Sequence, residues 1–232
     1  MNVYPIPGFS DPASSLTHLG GGGVFLVLGV MLVRKGARLA DSSRMWRVAA
    51  LGLFAFAAVA QLGISGAYHL LSHEGLARLV MQRIDHAAIF FLIMASFFPL
   101  HAILFTGWRR WLILLLLAAM AATGITLKTI YFTSLPDWAG LVLYVAMGWV
   151  GGYSGWMLYR RIGWPFISPL VWGGVAYTLG GIVEVLGWPV VIQGVLGPHE
   201  LFHVAVLAGL GFHFKFTFSF ADPTETPKGK AA

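Results

Sequence analysis

The sequence predicts an all-α protein, a bundle of seven transmembrane helices. Three observations predict it. Of 232 residues, 58% are hydrophobic and 10% are charged, against roughly 25% charged in an ordinary soluble domain. The mean hydropathy is +0.78. Seven stretches approach the roughly 20 mostly apolar residues needed to cross a bilayer. The chain has no cysteine, which excludes disulfides, thiolate metal sites and cysteine nucleophiles. Any metal centre must use His, Asp, Glu or water. The opening Met1-Asn2-Val3-Tyr4-Pro5 lacks the basic flank and small-residue cleavage site of a signal peptide. The net charge of +6 does not indicate a nucleic-acid partner, because the cations lie between apolar runs, where they set topology.

The spans follow in order. The first runs from about Thr17 to Val33 and the second from Trp46 to Leu71. The third covers Asp85 to Phe105, the fourth Trp111 to Leu127 and the fifth Trp138 to Tyr159. The sixth runs from Phe166 to Leu186 and the seventh from His199 to Phe220. Trp46, Trp108, Trp111, Trp138, Trp164 and Trp188 fall near span ends, as an aromatic belt requires. Gly148 with Gly152, and Gly151 with Gly155, have the spacing of close helix packing. Residues 1–221 read as a single membrane domain and 222–232 as a polar, disordered tail.

Successive spans alternate direction. The end of span two and the starts of spans three and seven therefore share the N-terminal face of the membrane. Those places hold the most unusual residues of the chain: Ser65 and His69, then Asp85 and His86, then His199-Glu200-Leu201-Phe202-His203. His199 and His203 are four apart, so a helix stacks them on one face. His69, His199 and His203 make a candidate metal-ligand set, since three neutral imidazoles and one open position form a catalytic type of site. Asp85 reads either as a carboxylate that orders metal-bound water or as a span-edge acid paired with Arg83 or Arg78. Ser65, on the face of His69, can bond the imidazole, Asp85 or the water; it can also bond back to its own helix. Glu184, late in span six, lines the same cavity or bonds Tyr177 or a neighbouring helix. His86 reads as a packing or hydrogen-bonding residue. His18 reads as a capping or interfacial residue, with a place in the cavity as the alternative.

The ordered motifs resemble a known family. Ser65-Gly-Ala-Tyr68-His69-Leu70 looks like S-x2-Y-H-L, and Asp85-His86-Ala-Ala-Ile89 continuing to Pro99 looks like D-H-x2-I…P. Met147-Gly148-Trp149, Gly173-Gly174-Val-Ala-Tyr177-Thr-Leu-Gly180 and the final H-x3-H follow in order, after an opening acidic…T-H segment from Asp11 to His18. Together they resemble the hemolysin III family, which is related to the progestin and adiponectin receptors. The resemblance implies a seven-helix fold of that type, with zinc on His69, His199 and His203. It implies Asp85 and Ser65 as candidate catalytic residues beside the zinc-bound water, and hydrolysis of a lipid amide such as ceramide. Two positions depart from the pattern. Glu184 stands where an aromatic residue is usual, and Ser14 where Asn is common.

The expected function is a zinc-dependent hydrolase acting on a lipid amide or ester held in the helical cavity. One alternative is a non-enzymatic membrane sensor with structural zinc. Another is an intramembrane zinc protease, because His199-Glu200-x-x-His203 also matches H-E-x-x-H with Glu200 as base. A bis-histidine haem protein is a third. The expected location is a plasma membrane, specifically a bacterial inner membrane. Span parity puts Arg78, Arg83 and Lys128 on the N-terminal side and the other twelve of the 15 basic residues opposite. The positive-inside rule then places the C-terminus in the cytoplasm, whereas the family resemblance implies the reverse.

Overall fold

The computed structural model describes residues 10–227. Eight helices follow one another: α1 (Pro12–Gly36), α2 (Arg44–Leu70), α3 (Leu76–Leu104), α4 (Trp108–Ile130), α5 (Asp137–Trp149), α6 (Gly151–Arg161), α7 (Trp164–Leu186) and α8 (Pro198–Phe218). Only Val150 separates α5 from α6, and the two make one crossing, Trp138–Arg161. Seven helical segments are thus long and apolar enough to cross a membrane. The all-α class and the seven spans stand as expected. Besides helices, the described residues contain one isolated antiparallel bridge, Ile192 with Leu196.

Several helices outrun the apolar stretches that announce them. α1 starts at Pro12 rather than near Thr17, and α3 at Leu76 rather than at Asp85. Hydropathy marks where a chain crosses lipid, whereas a helix continues until its backbone is interrupted. Before α3 that interruption is Gly75, at φ 128°. Asp85 therefore does not open its helix. It lies about 13 Å along the axis at 1.5 Å per residue, and is only 7% exposed.

The helices pack in sequence, α1 on α2, α2 on α3, α3 on α4 and α4 on α5, and then α5 on α7 and α7 on α8. Contact between α1 and α8 closes the ring, and α3 also touches α5 and α8. One apolar cluster joins Phe90, Phe97, Leu117, Met147 and Phe220. A second joins Leu32, Phe54, Leu62, Leu210 and Phe214.

At the end opposite the histidines, buried Arg47 donates to the carbonyls of Gly36 and Leu39 and pairs with Asp41 at 3.0 Å. It thereby satisfies carbonyls where the α1–α2 turn leaves them orphaned. The polar C-terminal segment folds back to the same place. Asp222 accepts hydrogen bonds from the Thr224 backbone and hydroxyl, and Glu225 pairs with Lys35 at 2.7 Å. Of the segment expected to be a disordered tail, residues 228–232 lie outside the described residues.

α7 and α8 interlock along one face. Gly173 receives the ring of His213, Gly209 receives the ring of Tyr177, and Gly180 lies against Ala205 and Phe202. These α7 positions are three or four residues apart, one face of a helix. A Cβ added at Gly180 would stand 2.6 Å from the Ala205 Cβ. Gly180→Leu should therefore separate α7 from α8 and cost about 1–3 kcal/mol. A lowered thermal midpoint of the detergent-solubilised protein would show it; an unchanged midpoint would contradict this packing.

Candidate metal centre

The site grows from one polar row on an apolar helix. Gln61, Ser65 and His69 are four residues apart on α2, so they occupy successive turns of one face, and all three are buried. Across the row, α3 brings Asp85. Gln61 donates to its Oδ1 at 2.8 Å, and Ser65 lies on the same row one turn nearer His69. Neither arginine of the surface ion-pair reading makes that bond. Arg78 turns to Asp11, and Arg83 to the Thr129 carbonyl.

His69 ends the row and meets the first turns of α8. Its Nε2 lies 3.3 Å from Nε2 of His199, and its ring centroid lies 4.9 Å from that of His203. One ligand atom from each of His69, His199 and His203 falls within 4.8 Å of the other two. The structure thus brings together the three histidines that span parity selects.

The donor chemistry fits a cation. His69 Nδ1 is 3.1 Å from Asp11 Oδ2, and His199 Nδ1 is 3.1 Å from Glu184 Oε1. A carboxylate only accepts hydrogen bonds, so in each neutral imidazole the proton sits on Nδ1 and Nε2 keeps its lone pair. Two lone pairs then face each other at 3.3 Å. With both rings neutral that arrangement repels, and either a metal ion between them or a proton on one Nε2 relieves it. His69, His199 and His203 are the residues that can hold the metal ion.

Asp11 lies just before α1, outside the membrane-spanning segments. Burial works to raise its pKa, but hydrogen bonds from His69 and Arg78 and the Arg78 charge outweigh it and hold the carboxyl well below the usual range. The Arg78 contact is 2.6 Å, and the Asp11 backbone N–H donates to the His69 carbonyl at 3.0 Å. His73, largely exposed, stands 3.3 Å from the other carboxylate oxygen.

Glu200, the letter that completes H-E-x-x-H, is occupied with structure. It accepts from the Gly197 backbone at 2.9 Å and from Ser14 at 3.0 Å. The first contact satisfies an orphan donor at the start of α8, and the second ties α1 to α8.

His18 does not take the capping or interfacial role. It is 3% exposed and stacks on His203 with ring centroids 3.8 Å apart. The early start of α1 puts it more than a turn inside the helix. Glu184 bonds His199 rather than Tyr177, whose ring fills the space over Gly209. His86 bonds the Gln82 carbonyl of its own helix at 2.8 Å and packs edge-on to Phe132. Gln61 is the residue that the sequence reading passes over. Its signal was legible, for it is polar, lies within an apolar span and repeats the spacing of Ser65 and His69.

Comparison with known proteins places the chain in a family. The chain matches the family model described as Haemolysin-III related over residues 10–214. It is 28% identical to Hemolysin-3 of Bacillus cereus over 156 residues, which is 67% of this chain and 68% of the relative. It is 25% identical to a Hemolysin-3 homolog of Bacillus subtilis (strain 168) over 197 residues, 85% of this chain and 87% of the relative. With a family match that runs from the segment before α1 into α8, this seven-span chain belongs to the haemolysin III family.

Proposed function

We propose that this protein is a zinc-dependent membrane hydrolase whose substrate is a lipid amide or ester. The observation that carries the reading is the buried carboxylate of Asp85, held by Gln61 on the same polar row that ends in His69. An all-nitrogen, cysteine-free ligand set favours zinc over softer thiolate-bound metals. Zinc, when bound, supplies a Lewis acid that polarises a carbonyl and brings the pKa of water to about 7.

The other work falls to the chain. Asp85 takes or orients the proton of the attacking water. Gln61 holds Asp85 in place through Oδ1, and Ser65 stands beside it on the same helical face. The histidines sit at one end of the bundle, where a lipid's head-group linkage would lie and water would enter. The name of the Bacillus cereus relative attaches lysis to that protein; the residues here support hydrolysis, and no pore follows from them. The protease reading loses its base, because Glu200 is engaged with Gly197 and Ser14.

Each of His69→Ala, His199→Ala and His203→Ala should remove stoichiometric zinc from the purified protein. Full zinc by elemental analysis in all three would sink the ligand set. Asp85→Asn should retain zinc and lose about 10²–10⁴-fold in lipid-amide turnover. Turnover equal to wild type would return the centre to a structural or sensory role, and cleavage of peptides in place of lipid amides would restore the protease.

The chain is proposed to lie with the metal centre on the extracytoplasmic side of a plasma membrane, because twelve of 15 basic residues occupy the opposite side. A reporter fused after Ala232 should read as cytoplasmic. An extracytoplasmic reading would reverse the orientation.

A further inference from the structure

Asp11 and Glu184 both stand behind metal-facing histidines, and nothing in the hydrolytic reading uses them. We propose that these two carboxylates are the positioning residues of the metal centre, each holding one histidine in the tautomer and ring orientation that presents Nε2. The inference rests on the metal reading above and deepens it.

The geometry is the same at both. Asp11 Oδ2 and Glu184 Oε1 each lie 3.1 Å from an Nδ1, of His69 and His199 respectively. The proton is thereby confined to the nitrogen that points away from the site. The two Nε2 atoms are left bare and turned toward each other at 3.3 Å. Either imidazole alone could reverse its tautomer and present an N–H, which cannot ligate a metal. The carboxylate removes that freedom.

The two acids arrive by independent routes. Asp11 precedes α1 and is pinned three ways: its backbone donates to the His69 carbonyl, and its carboxylate meets both His69 and Arg78. Arg78 itself is anchored on the Leu71 carbonyl at 2.6 Å. Glu184 comes from the other side of the bundle. It continues the α7 face of Gly173, Tyr177 and Gly180, so the interlock with α8 delivers it to His199. His199 is the partner Glu184 has among the described residues. His203 differs. No carboxylate bonds it among the described residues, and it stacks on His18 instead.

Charge supports the same role. Three neutral imidazoles bring no charge to a divalent cation. A carboxylate behind an imidazole raises its basicity as a ligand; Arg78 offsets the charge of Asp11, and Glu184 keeps its own. Asn at position 11 or Gln at 184 can offer an N–H to Nδ1 and turn the ring's proton onto Nε2. The isosteric amide therefore tests the point without removing bulk.

The experiment uses the full chain in detergent. Wild type, Asp11→Asn, Asp11→Glu and Glu184→Gln are titrated with zinc against a competing chelator and with cobalt by visible absorption. The thermal midpoint of the metal-free protein is measured beside them. The expected result is a Kd raised about 10–100-fold in Asp11→Asn and Glu184→Gln. Stoichiometry should stay unchanged, the cobalt spectrum should alter, and Asp11→Glu should recover much of the loss. Glu184→Gln changes a half-exposed helix end and reports even where Asp11→Asn fails to fold. A wild-type Kd and spectrum in both amide variants would overturn the proposal while leaving the metal reading intact. So would a lowered midpoint with metal binding unmoved, which marks a purely structural role. A wild-type protein that takes up no metal would remove both.

Discussion

The imidazoles of His69 and His199 face each other Nε2 to Nε2 at 3.3 Å, and four parts of the chain are needed to keep them there. With both rings neutral, two lone pairs do not approach so closely unaided. α2 carries one ring and α8 the other. Asp11, before α1, holds the first from behind, and Glu184, at the end of α7, holds the second. The contact is thus a meeting point of helices far apart in sequence. Packing elsewhere holds the two rings at this distance, which suits a cation between them.

That packing depends on small residues. Gly66 of α2 lies against Leu19 of α1, while its carbonyl accepts from Ser15 at 2.8 Å. Gly180 of α7 lies against Ala205 and Phe202 of α8. Lipid provides no hydrophobic drive between helices, so close backbone approach and interhelical hydrogen bonds decide register. Here they set it on both sides of the site. The Gly-Gly-x2-Tyr-x2-Gly pattern of α7 is therefore a docking surface for α8, with its last member one turn before Glu184.

Much of the candidate site was legible before any coordinates. Span parity brought His69, His199, His203 and Asp85 to one face, and the three histidines do converge. The reading went astray where apolar runs were taken for helix limits. The sequence reading places Asp85 at the start of its span and His18 in a cap, because Arg78, Gln82 and Arg83 interrupt the apolar residues that open α3, and Ser14, Ser15 and Thr17 those that open α1. Glu200, the base of the alternative protease reading, is a different case. Its letter fits a protease motif, but its carboxylate is spent on the Gly197 backbone and Ser14. A motif records which residues are present and says nothing of which hydrogen bonds they have already made.

The sequence by itself determined the membrane class, the number of crossings, the parity of their ends and the identity of the three histidines. Those follow from one-dimensional quantities: hydropathy summed over a bilayer's thickness and residues counted along a helix. Only the tertiary structure decided that Asp11 partners His69, that Glu184 partners His199, and that Gln61 holds Asp85. Such pairings turn on which helix neighbours which, and on rotations that shift a side chain by a few ångströms. Many side chains at one membrane depth can meet by parity alone. The packing of small residues between helices selects the pairs that do.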